Sequence, residues 1–342
     1  MTRRHASPLA TAVCLGSLLL AACGSSPEAP APASSSATTS VTASPSASAA
    51  PSPSPSTPGS RSLWGTQPVL TVKIDNTSGA RPRIGLSLAD VVYVTPVEGG
   101  LTRLLVVFAR TQPPEVGPVR SARETDGLIL ANYGKVAFAY AGASPFTLAT
   151  LRGGPEVHVS LDTSTEGFRR DSTRPAPYNV IGTPSVLLAR AGGSAPAGDV
   201  GFVVAPAPAG GTATAGVRAA YGAARIEARW DAGRAQYLIT TDGRPEISDG
   251  QQIGAATVIV QSVATRLSDN RDVNNQQTPV AEIIGSGAVE VHRGGLRYAG
   301  TWRRESATAP TVFTAADGTP LTVADGPVWV LLVPSGQGVS GL

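Results

Sequence analysis

Between residues 62 and 193, stretches that alternate apolar and polar positions are interleaved with stretches of helical spacing. The alternation over 68–75 predicts a strand. Two apolar, β-branched runs at 91–97 and 101–109 are separated by a short glycine-containing turn, which predicts a β-hairpin. This half of the chain is therefore expected to begin as a sheet.

Three helix starts follow in the same segment. Ser121 can cap a helix that runs to about Tyr133, and Ser144 and Thr183 each precede a proline, a residue that suits the first helical turn. Glycine pairs follow the second and third of these patterns and end them. The mixture of strands and helices predicts an α+β domain over 62–193.

Beyond residue 193 the pattern changes to short strands. Residues 194–215 are rich in Gly, Ala and Pro and are interpreted as an inter-domain connection. From 216 to 342, β-branched runs alternate with Asp-Gly and Gly-Gly turns, which predicts a smaller, mainly antiparallel β domain. Trp302 and Trp329 alternate with apolar residues there, so we expect both to pack in the core. The predicted fold class is α+β, with a mixed α/β domain followed by this β domain.

The first 22 residues have a composition of their own. Arg3 and Arg4 precede an apolar stretch over 9–22, which is too short for a membrane span of about 20 residues. It ends in Leu-Ala-Ala-Cys, which resembles a bacterial lipobox. We therefore expect residues 1–22 to be a lipoprotein signal peptide and Cys23 to carry fatty acyl chains such as palmitate. More than one chain gives stable anchoring, which predicts a location on the extracytoplasmic face of the cell membrane.

Residues 23–61 join this anchor to the folded part. They are almost wholly Ser, Pro, Ala and Thr, and such a tract buries too little apolar surface to offset its ordering entropy. We expect a disordered tether that holds the folded body away from the membrane.

Composition excludes several kinds of chemistry. The chain has 2 cysteines, one in the signal peptide and one at the lipidation site, so the mature protein has no disulfide, thiolate ligand or cysteine nucleophile. Only His158 and His292 remain after cleavage and no phosphate-binding glycine loop is present, so no metal and no cofactor are expected. The formal net charge of +3 becomes about +1 once Arg3 and Arg4 are removed, so we expect no nucleic-acid partner.

Several short motifs resemble one known family. They are VEGGLTR at 97–103, GPVRSAR at 117–123, FRRD at 168–171 and RPAPYN at 174–179. These motifs are similar to those of the YerB-like bacterial lipoproteins, and the similarity extends over nearly all of residues 68–334. That family is a domain of unknown function. The resemblance therefore implies an architecture and attachment to the membrane as a lipoprotein, but no activity. Family members often have His where this chain has Tyr178, so no role of an imidazole transfers to that position.

The arginines in these motifs suggest a binding site. Arg120 and Arg123 flank Ser121 at a predicted helix start, where free backbone N–H groups and guanidinium groups together suit a phosphate or carboxylate. The hypothesis is a single cleft for an anionic ligand, such as a glycan or peptidoglycan fragment. Its candidate residues are Glu98, Arg103, Arg120, Ser121, Arg123, Arg170, Asp171, Arg174, Tyr178 and Asn179. The alternative is that Arg103, Arg120, Arg123 and Arg170 only pair with the carboxylates of Asp75, Asp90, Glu98 and Asp171 and hold loops in place.

A second polar set lies on a strand predicted over 156–161. Glu156, His158 and Ser160 would share one face of this strand. Neighbours on one strand face point in parallel and do not converge on a substrate. We therefore interpret the set as a partly solvated polar face and assign no catalytic residue.

Three functions fit the sequence. The favoured one is a non-catalytic binding or accessory protein of the cell envelope with an Arg-rich anion- or glycan-binding cleft. A carboxylate-dependent cell-wall hydrolase or transferase would use acids such as Asp90, Glu98 or Asp171. A protein–protein scaffold for an envelope synthase would show an exposed apolar patch on the β domain. The sequence leaves open whether the protein is an enzyme, although the lack of a convincing nucleophile or metal site favours the first function. The oligomeric state is also left open.

Overall fold

The computed structural model describes residues 61–62, 64–272 and 275–342, with side-chain surroundings from Trp64 onward. The predicted signal peptide (1–22), Cys23 and the predicted linker up to residue 60 lie outside the described residues. Within the described ranges the chain is rich in strands and has three short α-helices. None of these helices is long and apolar enough to cross a membrane.

The secondary-structure elements have the following bounds. The helices are α1 (Glu124–Leu130), α2 (Pro145–Leu151) and α3 (Pro184–Ala191), with 3-10 turns at Ser78–Ala80, Leu86–Leu88 and Glu98–Gly100. The strands of the N-terminal part are β1 (Arg61–Ser62), β2 (Leu70–Asp75), β3 (Val91–Pro96), β4 (Thr102–Phe108), β5 (Ala137–Tyr140), β6 (Val157–Ser160), β7 (Phe168–Arg170), β8 (Val180–Gly182) and β9 (Val203–Val204). The later strands are β10 (Thr212–Ala213), β11 (Gly216–Ala220), β12 (Arg225–Asp231), β13 (Gln236–Thr241), β14 (Arg244–Pro245), β15 (Ile247–Ser248), β16 (Gln251–Gln252), β17 (Gly254–Ala255), β18 (Thr257–Arg271), β19 (Gln277–Glu282), β20 (Gly285–Arg293), β21 (Leu296–Arg304), β22 (Val312–Ala315), β23 (Val328–Pro334) and β24 (Val339–Gly341).

One large mixed sheet runs through both halves of the chain. Its strand order is β10-β21-β20-β18-β23-β3-β4-β2-β5-β6, with β19 paired to β18 and β22 to β21. Strand β23 lies parallel to β18 on one side and to β3 on the other, so a strand near the C-terminus connects the two groups of strands. The sheet is therefore continuous across the connection predicted at 194–215, while the domain boundaries themselves stay a prediction.

A second, antiparallel sheet has the order β14-β13-β12-β11-β24, with β17 paired to β13. The turn between β13 and β14 is Asp242-Gly243, and both residues have positive φ, of 51° and 76°. Such a turn matches the twist of a tight hairpin, and Asp-Gly is a favoured sequence for it. The turn signal at this position is confirmed.

Both faces of the large sheet are covered along its central strands β2, β3 and β4, whose residues are all buried. On one face, Val72 belongs to a buried cluster that includes Tyr237 of the small sheet and Leu187 of α3. On the other face, Leu105 belongs to a cluster that includes Ile129 of α1. Because neither face is open to water, polar side chains on the central strands must find partners within the protein.

Several predicted elements are confirmed. Strands β3 and β4 form the expected antiparallel hairpin. Helices α2 and α3 begin at the expected prolines, and the Ser144 hydroxyl accepts the Thr147 N–H at 3.0 Å. Trp302 and Trp329 are 2% and 1% exposed, as expected of core residues.

The start predicted for the first helix is wrong. Arg123, not Ser121, precedes the first residue of α1, and the Asp126 carboxylate accepts the Arg123 N–H at 2.7 Å. The N–H groups of Arg120 and Ala122 instead donate to the carbonyls of Lys73 and Gly142. Hydrogen bonds to distant strands thus override the local cap signal, and the helix has only 7 residues.

Candidate functional site

A group of charged side chains lies inside the fold where β2, β3 and α1 meet. Lys73 on β2 is fully buried, and its ammonium donates to Asp126 at 2.6 Å and to the Thr95 hydroxyl at 2.9 Å. Burial lowers the pKa of Lys73 to about 8, although Asp126 opposes that shift. The ion pair with Asp126 therefore stabilises the positive charge of Lys73 in an interior that disfavours it.

A second ion pair closes the β3–β4 hairpin turn over this group. The Arg123 guanidinium donates to both oxygens of Glu98, at 2.7 and 3.0 Å, and the Thr278 hydroxyl of β19 donates to the same carboxylate. Burial opposes ionisation of Glu98, but these hydrogen bonds outweigh it and hold the pKa of Glu98 below its usual value. Glu98 is thus an ionised acceptor.

Arg103 lies between these groups without a carboxylate of its own. It is 8% exposed, and its Nη1 donates to the Ser121 carbonyl at 2.9 Å. Burial, together with the positive charges of Arg123 and Arg120, lowers the pKa of Arg103 to about 9. Among the residues that the structure describes, no carboxylate forms an ion pair with Arg103.

Arg120 borders Arg103 on the side that is open to solvent. Its side chain is 22% exposed and pairs with Asp75 at 2.8 Å, while Asp75 also accepts the Thr77 N–H at 2.7 Å. The carbonyl of Ser121 receives the Arg103 hydrogen bond, so Ser121 contributes through its backbone. The structure therefore brings together five predicted site residues, Glu98, Arg103, Arg120, Ser121 and Arg123.

The other five predicted site residues form a separate group on the loop from β7 to β8. Arg170 donates to the Asn179 side chain at 3.0 Å, and Arg174 pairs with Asp171 at 3.4 Å. Hydrogen bonds from the hydroxyl and N–H of Thr173 lower the pKa of Asp171. These side chains are largely exposed or half-buried.

This loop group supports the turn that follows β2. Arg174 donates to the Pro82 carbonyl at 2.7 Å. The ring of Tyr178 covers Gly79 so closely that an added Cβ would lie 2.5 Å from it. The Val119 N–H donates to the Val180 carbonyl at 2.7 Å, so the backbones of the two groups adjoin. In the described part of the chain, no side-chain hydrogen bond or ion pair joins the loop group to the first five residues.

The alternative pairing hypothesis holds for some arginines. Arg120 pairs with Asp75 and Arg123 with Glu98, as this hypothesis has it. No described carboxylate forms an ion pair with Arg103 or Arg170, while Asp171 pairs with Arg174 and Asp90 with Arg110, which the sequence did not suggest. Lys73, Asp126 and Thr278 were also missed. Thr278 is 180 positions from Glu98, and no local pattern signals such a contact.

Glu156 is buried, although it was expected to lie on a partly solvated polar face. It is 5% exposed, neither carboxylate oxygen has a hydrogen-bond partner, and His158 lies 3.7 Å away. Burial raises the pKa of Glu156 and lowers that of His158. The interpretation as a solvated face is wrong for Glu156 because α1 and α2 cover this strand end, with Gly127 and Leu151 packed together beside the carboxylate.

Two models of one protein family match the chain. The N-terminal domain described as "Protein of unknown function (DUF3048)" matches residues 56–197, and the C-terminal domain of the same description matches residues 217–330. The two matches follow one another in the same order as the two parts predicted from the sequence.

One named relative and one solved structure are similar to the chain. YerB of Bacillus subtilis strain 168, whose name describes it as a candidate lipoprotein, is 38% identical over 114 residues, which are 33% of this chain and 34% of YerB. The aligned stretch thus spans about one third of that relative. The crystal structure of the YerB protein from Bacillus subtilis aligns with a TM-score of 0.69 at 22% identity, over 80% of this chain and 94% of that chain. This likeness shows a shared fold.

Proposed function

The chain belongs to the YerB-like DUF3048 family of proteins of unknown function, and on that premise we propose that it is a membrane-anchored, non-catalytic binding protein of the cell envelope. The lipobox-like sequence and the name of the relative support a lipid anchor at Cys23 on the extracytoplasmic face. The α+β part over 62–193 and the β-rich part over 216–342 belong to the same proposal.

The observation that carries the binding function is the state of Arg103. A buried guanidinium without a counter-ion costs free energy, and the adjoining Arg120 and Arg123 increase that cost. Both neighbours pair directly with carboxylates, whereas Asp75 and Glu98 act on Arg103 only from beyond ion-pair distance, so Arg103 is the arginine without a direct partner. An anion that reaches Arg103 past the half-exposed Arg120 would supply the missing partner.

The ligand class follows from the donors. Guanidinium groups bind carboxylate and phosphate oxygens through paired hydrogen bonds, and these bonds are strong where water is excluded. In the cell envelope, glycan and peptidoglycan fragments carry such groups on uncharged sugars. The proposed ligand is therefore an acidic wall fragment whose carboxylate or phosphate contacts Arg103.

The enzymatic alternative is less well supported by the geometry. Each of its three acids has an arginine partner, namely Asp90 with Arg110, Glu98 with Arg123 and Asp171 with Arg174. The pKa values of Glu98 and Asp171 are lowered, whereas a general acid needs a raised pKa. We therefore keep the binding function as the conclusion.

Calorimetric titration of the full chain in nonionic detergent tests the binding site. The ligand is a peptidoglycan fragment with free carboxylates, and an uncharged chitin oligosaccharide is the control ligand. Arg103→Met should weaken binding of the acidic fragment by about 30-fold or more, because loss of a buried charge pair costs about 2 kcal/mol or more. Arg103→Lys should retain part of the affinity.

The matched control is Arg152→Met. Arg152 is an exposed arginine at the end of α2, so its loss changes the net charge equally without touching the site. Equal weakening by the two Met variants would mean a general charge effect and would contradict the assignment. An unchanged affinity of a folded Arg103→Met protein would also contradict it.

The lipid anchor has its own test. Cys23→Ser should give a protein that keeps residues 1–22 and partitions into the aqueous phase of a Triton X-114 separation, while the wild type enters the detergent phase. Detergent partitioning of the Cys23→Ser protein equal to that of the wild type would contradict lipidation at Cys23.

A further inference from the structure

A second buried arginine lies far along the chain from Arg103. Arg304, the last residue of β21, is 2% exposed, and its Nη2 donates to the Ala307 carbonyl. Its Nε is buried and has no hydrogen-bond partner, and no described carboxylate forms an ion pair with it. The adjacent Arg303, in contrast, is exposed and pairs with Glu305 at 3.2 Å. Arg304 therefore holds a positive charge inside the fold without visible compensation, which costs several kcal/mol.

Arg304 lines a small internal cavity of about 20 Å³. The other polar side chains in its wall are Tyr93, Asn132, Gln261 and Thr311, and none of the lining residues is acidic. Gln261 is 4% exposed, so its side-chain amide is a buried polar group. The wall thus combines one cation with several neutral groups that can donate.

Tyr93, the tyrosine in this wall, has a neutral hydroxyl group. Tyr93 and Tyr133 lie with their hydroxyl oxygens 3.0 Å apart. Burial raises the pKa of Tyr93 to about 12 and that of Tyr133 well above its usual value. Neither phenol can therefore act as the counter-ion of Arg304 at neutral pH.

The size of the cavity and the character of its wall select the occupant. A single water needs roughly 10–15 Å³, so the cavity can hold one small particle and is too small for a phosphate or a sugar. A metal cation would be repelled by Arg304, and a water would leave its charge uncompensated. We infer that Arg304, Gln261 and Tyr93 form a buried binding site for a monatomic anion of the chloride class.

The anion has a route from solvent. Arg304 also lines an open surface groove of about 580 Å³, together with Ser286 and Arg303. Arg304 therefore borders both the cavity and the groove, and the proposed route of the ion runs past this side chain. Chloride would act here as a structural ion between Arg304 of β21, Gln261 of β18 and Tyr93 of β3.

Bromide replacement tests the site directly. Crystals of the wild-type protein soaked in sodium bromide should show an anomalous diffraction peak in the cavity lined by Arg304. A cavity that holds only water after the soak would overturn the inference, and this measurement requires no variant.

Thermal unfolding of the full chain in detergent gives the second test. Chloride is exchanged for gluconate, which is too large for the cavity, at constant ionic strength. Above the dissociation constant, the wild-type Tm should rise by about 3 °C for each tenfold rise in chloride. The Tm of Arg304→Met should not respond, whereas that of Arg303→Met should respond as the wild type does. Equal responses of both variants, or no response of the wild type, would overturn the inference.

Discussion

The buried network around Arg103 and the loop from β7 to β8 contain the same residue types in opposite surroundings. In the network, Lys73 and Asp126 have fully buried side chains, and Glu98 is held by Arg123 and Thr278. Beside the loop, Arg169 of β7 and Glu115, which follows β4, are paired at 2.8 Å with side chains 47% and 38% exposed. An ion pair in water contributes little, whereas a buried ion removed from its partner is costly. Burial, and not the number of arginines, therefore decides where charge matters in this protein.

The largest effect is expected at the buried pair of Lys73 and Asp126. Asp126→Ala leaves the Lys73 ammonium buried without its 2.6 Å partner and also removes the acceptor of the Arg123 N–H. We expect the free energy of unfolding to fall by about 3–5 kcal/mol, measured by urea denaturation at pH 7. The double variant Lys73→Met, Asp126→Leu should lose less, because no charge is left unpaired. A loss below 1 kcal/mol in the single variant would contradict the role of burial.

The pH dependence of the free energy of unfolding should also report the ionisation of Lys73. The pKa of Lys73 is about 8 in the folded protein, against 10.5 for an unperturbed lysine. Between these pH values the unfolded chain binds more protons, so the contribution of Lys73 makes the free energy of unfolding rise with pH. The rise should amount to up to about 3 kcal/mol between pH 7.5 and 10.5, relative to the variant Lys73→Met, Asp126→Asn. Parallel pH profiles of the two proteins would rule this out.

Glu156 offers the opposite case, a buried acid without a cation. Its pKa is raised by burial and then by the negative charge of Asp126, so the contribution of Glu156 to stability is present below the pKa of the unfolded chain. That contribution is lost as the pH rises through the folded pKa. Glu156→Gln should therefore be more stable than wild type at pH 7 and should lose this advantage at pH 4.

The exposed Glu166→Gln is the control for this change. It removes the same charge from a residue on the surface, so it should leave the free energy of unfolding nearly unchanged at both pH values. If Glu156→Gln destabilises the protein at pH 7, the carboxylate has a favourable partner in solution. The description of Glu156 as uncompensated would then fail.

The sequence predicted the elements better than the contacts between them. The hairpin of β3 and β4 and the starts of α2 and α3 depend on residues within a few positions of one another, and these predictions are confirmed. The start of α1 depends on hydrogen bonds from Arg120 and Ala122 to Lys73 and Gly142, and the prediction for it is wrong. A local sequence signal sets the end of a helix only where no hydrogen bond to a distant residue competes with it.

The candidate site shows the same limit. Arg103, Arg120 and Arg123 were predicted as site residues because all three lie in the two short motifs at 97–103 and 117–123. The partners Lys73 and Thr278 were missed, since the first looked like the polar face of a strand and the second comes from β19. Alternation marks a polar face, but it does not tell whether another layer covers that face.

The smallest effects are expected at the exposed pair of Arg169 and Glu115 beside the loop. Glu115→Gln removes one partner of the exposed Arg169 pair, and we expect the free energy of unfolding to change by less than about 1 kcal/mol, because solvent screens the pair and its side chains regain freedom. Raising the salt concentration to 0.5 M should remove even this difference, whereas the effect of Asp126→Ala should persist, since buried charges are screened much less.

Ligand binding should distinguish the buried network around Arg103 from the loop between β7 and β8. Asn179→Ala removes the 3.0 Å hydrogen bond from Arg170 but leaves Arg103 and its neighbours unchanged. If the loop only supports the turn at 78–82, the affinity for the acidic fragment should stay within about twofold of wild type, near the resolution of a titration. A loss of tenfold, about 1.4 kcal/mol, would place the loop side chains in contact with ligand. The ten residues predicted from the sequence would then form one cleft after all, closed by the bound anion itself.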